Sequence, residues 1–146
     1  MHKVVIVYDT RRKGLGTEKT VKILEEELKT DLRVETLRAG ELREEHVRES
    51  EVFVFVAPVY VGKPHENVVD ILKRFKGFLA DKRVALLILC ILKPLGRLFY
   101  LKHLRGALGR RGDVEGVIGG IIGPINLLKR SDVSKLAFEI CKLVRG

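Results

Sequence analysis

Apolar runs alternating with amphipathic stretches predict an α/β fold: five parallel strands in one sheet, with helices packed on both faces. The runs show little polar alternation. Val52-Phe53-Val54-Phe55-Val56 is continuous, as expected of a strand covered on both sides. The stretches between the runs repeat apolar residues three and four positions apart, the period of a helix with one buried face. Short connections between the two kinds of element favour right-handed strand–helix–strand units.

In chain order, strands are expected at Lys3–Tyr8, Leu32–Leu37, Glu51–Ala57, Arg83–Leu92 and Val114–Ile122. Helices are expected at Thr17–Lys29, where Val21, Leu24 and Leu28 form the stripe, and at Pro64–Phe78, where Val68, Val69, Ile71, Leu72 and Phe75 do. Two more are expected at Arg97–Arg110 and Ser131–Val144, and the polar stretch Gly40–Glu49 reads as a short helix or turn. The longest apolar run, Val84 to Leu92, is about half the length of a membrane span and reads as a central strand, so no transmembrane segment is expected.

The 146 residues, 46% of them hydrophobic, suit a single domain over 1–146 and exclude a disordered chain. Such a chain buries roughly two-thirds of its unfolded surface without disulfides or metals. Cys90 and Cys141 form neither a disulfide framework nor a metal motif and read as buried structural thiols. The first strand begins by Lys3, which leaves no room for a signal peptide, so a cytoplasmic protein is expected. The chain has no Gln, only Asn67 and Asn126, one Met and 32% charged residues, a pattern that points to a thermophilic source.

The first candidate site lies between the opening strand and helix, in Tyr8-Asp9-Thr10-Arg11-Arg12-Lys13-Gly14-Leu15-Gly16-Thr17. Unpaired N–H groups at a helix start and the positive end of its dipole attract anions. The Thr10 and Thr17 hydroxyls add hydrogen-bond donors, Gly14 and Gly16 permit close backbone approach, and Arg12 supplies a planar charge partner for phosphate. The same residues also read as an ordinary strand-to-helix connection capped by Thr17. Glu18 stands where a Walker A loop needs Gly before Lys19-Thr20, and Lys19 stands where a dinucleotide fingerprint needs its third Gly. The second candidate segment, Ala57-Pro58-Val59-Tyr60-Val61-Gly62, holds an aromatic ring between a turn-forming Pro and a Gly, which suits a flat ligand.

On these two motifs the chain resembles the flavodoxin-like family of flavin mononucleotide (FMN) proteins, and the likeness in element order extends over nearly its whole length. The resemblance implies the sheet order 2-1-3-4-5 in a three-layer α/β/α sandwich, with the ligand outside the carboxyl ends of the first and third strands. It implies that the loop carrying Thr10, Arg12, Gly14, Gly16 and Thr17 holds the FMN phosphate. It further implies that Pro58, Val59, Tyr60, Val61 and Gly62 lie against the isoalloxazine ring. The loop Lys93-Pro94-Leu95-Gly96 corresponds to the one that completes the flavin site in relatives, with Lys93 near the pyrimidine end and Gly96 closing the loop. The first loop is about two residues longer than the compact family version, and Arg11, Arg12 and Lys13 stand where small hydroxyl residues are common. The Pro-x-Tyr-x-Gly region and the basic segment after the fourth strand are also similar to those of menaquinone-dependent protoporphyrinogen oxidases.

The formal net charge of +9 is unusual beside the acidic electron carriers of this family. Much of the charge is interspersed, as in Glu25-Glu26-Glu27-Leu28-Lys29, and reads as solvated helix faces. The excess concentrates between Lys93 and Arg111, with six Lys or Arg residues and no acid. That basic amphipathic segment fits a crossover helix whose outer face meets an anionic partner or surface. Three functions follow: an FMN-dependent oxidoreductase acting on a quinone or tetrapyrrole, an FMN electron carrier with a redox partner protein or small-molecule acceptor, or a cofactor-free module binding nucleic acid or another anion. His65 is the one candidate for proton delivery beside the proposed site.

Overall fold

Strand register explains the layering. The computed structural model describes residues 2–11, 16–60 and 62–145. Within them, β1 (Lys3–Tyr8), β2 (Arg33–Arg38), β3 (Val52–Tyr60), β4 (Arg83–Cys90) and β5 (Val114–Gly119) pair in the order β2-β1-β3-β4-β5, every neighbour parallel. Successive side chains on a strand point to opposite faces, and here both faces are covered. Val5, Val7, Phe53, Phe55, Leu86 and Ile88 meet α2 (Glu44–Glu49), α3 (Glu66–Leu79) and α4 (Leu101–Leu108). Val4, Ile6, Val52, Val54, Leu87 and Leu89 meet α1 (Thr17–Lys29) and α5 (Arg130–Arg145). Each Leu or Phe so buried stabilises the fold by about 1.5–3 kcal/mol. The result is the three-layer sandwich and strand order expected from the sequence.

Beyond shifts of a residue at element ends, four stretches depart from or sharpen the sequence reading, each for a local reason. β3 runs three residues past Ala57 to Tyr60, then folds back as a hairpin that pairs Val59 with Pro64 and Tyr60 with Lys63. Pro58 does not interrupt it, because the Pro58 carbonyl faces out of the parallel ladder and accepts from the His65 N–H at 2.8 Å. Pro64 therefore belongs to the hairpin, and α3 starts at Glu66 with His65 as its cap. The expected strand Val114–Ile122 ends at Gly119, and its last residues turn into a small hairpin of Ile121–Ile122 against Ile125–Asn126. The Leu127 carbonyl crosses directly over Gly119, a place only a glycine leaves open. The polar stretch Gly40–Glu49 resolves into a tight turn at Ala39–Glu41 followed by α2.

The fourth difference follows β4, which ends at Cys90. A helical turn at Lys93–Leu95 leads into a π turn at Gly96–Tyr100 and then α4, so the helix begins before Arg97 and ends at Leu108. The Leu101 N–H bonds to the Gly96 carbonyl, five residues back. On α4 the buried stripe is Leu101, Leu104, Ala107 and Leu108. Carried backwards at 3.6 residues per turn, that stripe would bury Arg97 or Leu98. The extra residue in the π turn buries Gly96 instead and turns Arg97, Leu98 and Phe99 outward.

Gly96 can take the buried position because it has no side chain: a Cβ there would lie 2.7 Å from Val117 Cγ1 and 3.0 Å from Cys90 Sγ. Replacing Gly96 with Ala is expected to cost about 1–3 kcal/mol through overpacking, offset by about 1 kcal/mol of better helix propensity. Urea unfolding should therefore show a net loss of about 1 kcal/mol. A midpoint at or above that of the unmodified protein would contradict the packing role assigned to Gly96.

Candidate ligand site

β1 stops at Tyr8, opposite Val56, while β3 continues, so the chain after Tyr8 passes beside the β3 hairpin. There Thr10 Oγ1 and the Tyr60 hydroxyl lie 3.0 Å apart, and the Arg11 N–H donates to the same hydroxyl at 3.2 Å. The Arg11 guanidinium stands over the Tyr60 ring, 4.8 Å from its centroid, a cation–π contact. Tyr60 is presented by the hairpin turn, in which Gly62 takes a φ of 74° that side-chain-bearing residues rarely adopt. The two loops that the sequence singled out are thus in contact through Thr10 and Tyr60.

Beneath them lies a polar network of which the sequence reading singled out only His65, as a candidate for proton delivery. Asp9, nearly buried, accepts from the Thr10 N–H and from Asn67 Nδ2, both at 2.9 Å, with Arg38 Nε 3.4 Å away. The Asp9 carboxylate is therefore balanced by a cation and two donors, as a buried charge must be. His65 Nδ1 accepts from the Asn67 N–H at 3.1 Å and caps α3, while the imidazole meets the edge of Tyr60 at 5.7 Å between centroids. An accepting Nδ1 fixes the neutral ring with its proton on Nε2. Burial pushes the His65 pKa below its ordinary value; Asp9 and Glu66 oppose that shift, and Arg11 and Arg38 reinforce it.

At the start of α1, Gly16 adopts the left-handed conformation (φ 78°, ψ 27°) and takes the cap position, so Thr17 is the first helical residue and not the cap. Gly16 is also pressed by the small hairpin, since a Cβ there would lie 2.8 Å from Ile121 Cδ1. Thr17 is 1% exposed, and its hydroxyl has no hydrogen-bond partner among the described residues. Leaving such a group unsatisfied costs about 1–3 kcal/mol. It lies where the first N–H groups of a helix also lack intrahelical partners, so an anion there would satisfy several donors together.

The remaining expected site residues fall elsewhere. Arg12, Gly14 and Val61 lie outside the described residues. Val59 packs against the core, and Pro58 serves the β3 hairpin. Lys93 is engaged by Asp132 of α5, with Nζ 2.6 Å from the carboxylate, and Gly96 is consumed by packing against Val117. The basic segment is also less free than its composition implies. Besides Lys93, Arg105 forms a forked ion pair with Glu115, and Arg110 pairs with Asp113 while donating to the Leu79 and Lys82 carbonyls. Among the described residues, no cluster of His, Cys, Asp and Glu could hold a metal ion, and no helix is long and apolar enough to cross a membrane. Cys90 is buried and Cys141 half-buried, both as free thiols. A cavity of about 490 Å³ at the amino ends of the strands, lined by His2, Lys3, Arg33 and Ser50 among others, shares no residue with the two loops. The candidate site therefore rests on loop chemistry.

The Fusobacterium nucleatum flavodoxin bound to flavin mononucleotide superposes with a TM-score of 0.69 at 22% identity, over 97% of this chain and 98% of that one. The fold is flavodoxin-like. A short-chain flavodoxin associated with a non-canonical PDU bacterial microcompartment gives a TM-score of 0.73 at 18% identity, over 97% and 98% of the two chains. The rubredoxin oxygen:oxidoreductase of Desulfovibrio gigas gives 0.69 at 15% identity, where this chain is covered over 99% of its length but spans only 36% of that protein. No protein-family model matches the chain, and no curated protein matches its sequence.

The His65 cap makes a pH dependence. Its folded pKa is depressed, so the unfolded chain binds more protons below the ordinary histidine value of about 6.5, and stability falls as pH drops through that range. Protonation of Nδ1 also removes the bond from the Asn67 N–H. Replacing His65 with Asn preserves a capping acceptor without a titrating ring. Urea unfolding from pH 7.5 to about 5 should show a shallower loss of stability in His65→Asn than in the unmodified protein. Parallel pH profiles would remove His65 as the cause.

Proposed function

We propose that residues 1–146 form one FMN-binding electron-transfer domain, with the phosphate at the start of α1 and the flavin ring beside Tyr60. The observation that carries this reading is the buried, unpartnered Thr17 hydroxyl at a helix N-terminus, beside a loop bonded to an aromatic residue from the neighbouring strand. The residues present fit the cofactor: Thr17 and the first N–H groups of α1 would hold the phosphate, and Tyr60 would flank the ring. A ring stacked on Tyr60 takes the place of the Arg11 guanidinium, which is then free to pair with phosphate. The flavodoxin-like fold supports the reading, as does the likeness to a Fusobacterium nucleatum flavodoxin bound to flavin mononucleotide.

Bound FMN supplies reversible electron transfer, and the protein supplies position and field. Asp9, tied to Asn67 and Arg38, holds the chain after β1 against α3 and β2. His65 holds the Tyr60 edge and stays neutral, so the ring environment near Tyr60 gains no charge from it at neutral pH. The electron acceptor is a protein or a small molecule such as a quinone or tetrapyrrole.

Fluorescence titration with FMN and with riboflavin separates the two halves of the site. Thr17→Val should weaken FMN at least about tenfold, the value of a hydrogen bond to a charged group, and leave riboflavin affinity unchanged. Removing an unsatisfied buried hydroxyl should also raise the stability of the ligand-free protein by about 1 kcal/mol. Tyr60→Ala should weaken both flavins about fivefold, the loss of a stacking contact of about 1 kcal/mol. Failure of the unmodified protein to retain FMN through gel filtration would end the proposal.

A further inference from the structure

We infer that the surface created by the π turn after β4, with Leu98 and Phe99 flanked by Arg97 and Lys102, is a docking face for an acidic redox protein; this rests on the electron-transfer reading above. The turn inserts one residue into the helix, and its effect is to expose what a regular helix would bury. Leu98 is 65% exposed, with Gly96 buried in its stead, and Phe99 beside it is 60% exposed. Leu92, just after β4, is 59% exposed. Large apolar side chains left in water cost free energy, and contiguous ones mark contact surfaces.

The place of this patch ties it to the ligand site. Leu89 of β4 pairs with Pro58 of β3, so the segment after Cys90 leaves the same end of the sheet as Tyr60, one strand away. Tyr100 and Val59 pack against the same core face. An electron leaving a flavin beside Tyr60 thus has this patch at its side.

Charge selects the partner. Arg97 and Lys102 are exposed and make no ion pair among the described residues. Of the acids that share a cavity wall with Arg97, Asp132 and Glu115 are paired with Lys93 and Arg105, which leaves Glu139 alone to offset the excess of cations. No Asp or Glu occurs between Lys93 and Arg111, and the chain carries a net charge of +9. A basic partner is repelled by such a rim, and an acidic one is steered to it. A small apolar centre within a charged rim has the anatomy of a transient protein interface. A membrane surface is the poorer fit, because the continuous apolar stripe of α4, Leu101, Leu104 and Leu108, faces the sheet and not solvent.

The test is an NMR titration of the ¹⁵N-labelled protein, with and without FMN, against acidic rubredoxin, basic cytochrome c and phosphatidylglycerol vesicles. Shifts confined to residues 92–102 are expected with rubredoxin alone, with a Kd that rises about tenfold from low to physiological salt. Arg97→Glu with Lys102→Glu should raise Kd about tenfold at low salt and flatten the salt dependence. Leu98→Ser with Phe99→Ser should raise Kd about fivefold and keep the salt slope. All four side chains are exposed, and circular dichroism checks that each variant is folded. Equal or tighter binding of cytochrome c, shifts outside the patch, or vesicle binding without rubredoxin binding would each overturn the inference. Rubredoxin binding at 92–102 in a protein that takes up no FMN would keep the docking face and remove the flavin reading. FMN retention without rubredoxin binding would do the reverse.

Discussion

The parallel pairing of β1 with β3, from Val4 opposite Val52 to Tyr8 opposite Val56, is the constraint around which the rest of the molecule is arranged. Apart from the half-buried Tyr8, both strands are buried along their shared length, so their register is held by packing on two faces at once. From that pair the chain departs in opposite directions. The connection after β1 leads through α1 to β2 on one flank, and the connection after β3 leads through α3 to β4 on the other. Because α1 and α3 lie on opposite faces of the sheet, a crevice opens between the two loops at the carboxyl ends. Thr10 and Tyr60 meet across it because β1 ends four residues earlier in the ladder than β3 does.

How much of this was legible in the sequence depended on whether the signal was periodic. Lys3–Tyr8 and Thr17–Lys29 are found where the sequence places them, because a short apolar run and a 3.6-residue stripe each repeat many times within the element. The failures came where one residue breaks the repeat. Pro58 reads as a terminator, yet its carbonyl and absent N–H face away from the ladder, so β3 continues. Gly119 and Gly120 sit inside an apolar run that alone looks like one strand, although a returning carbonyl requires the glycine there. The π turn at Gly96 is invisible to any reading with a fixed helical period.

The candidate site divides in the same way. Local motifs single out Tyr60 and Thr17, while Asp9, Arg38, His65 and Asn67 were not assembled, because their contacts join residues far apart in the chain. Asn67 lies 58 positions from the Asp9 it bonds. The only early hint was a carboxylate placed directly after an apolar strand, a position where burial forces it to find partners. Composition misled in the basic segment as well. Three of the six cations between Lys93 and Arg111 are held by Asp132, Glu115 and Asp113, which are separated from them in sequence or lie just beyond the segment. Exposed ion pairs of this kind contribute about 0–1 kcal/mol, so the charge that matters for partners is the unpaired remainder.

The two halves of the candidate site differ in what they lack. Around Tyr60 the described residues satisfy one another: its hydroxyl has Thr10 and the Arg11 N–H, its face has a guanidinium, and its edge has an imidazole. A ring entering there exchanges one set of contacts for another, and the net gain is the difference between a stacked aromatic and a cation–π pair, each worth about 1 kcal/mol. At Thr17 the balance is different, since among the described residues its buried hydroxyl has no partner, at a helix start whose first N–H groups have none within the helix. An anion placed there removes an existing cost as well as forming new bonds. On the proposed reading, discrimination among flavins should accordingly come from the phosphate and not from the ring, because the phosphate supplies a partner that the Thr17 hydroxyl lacks among the described residues.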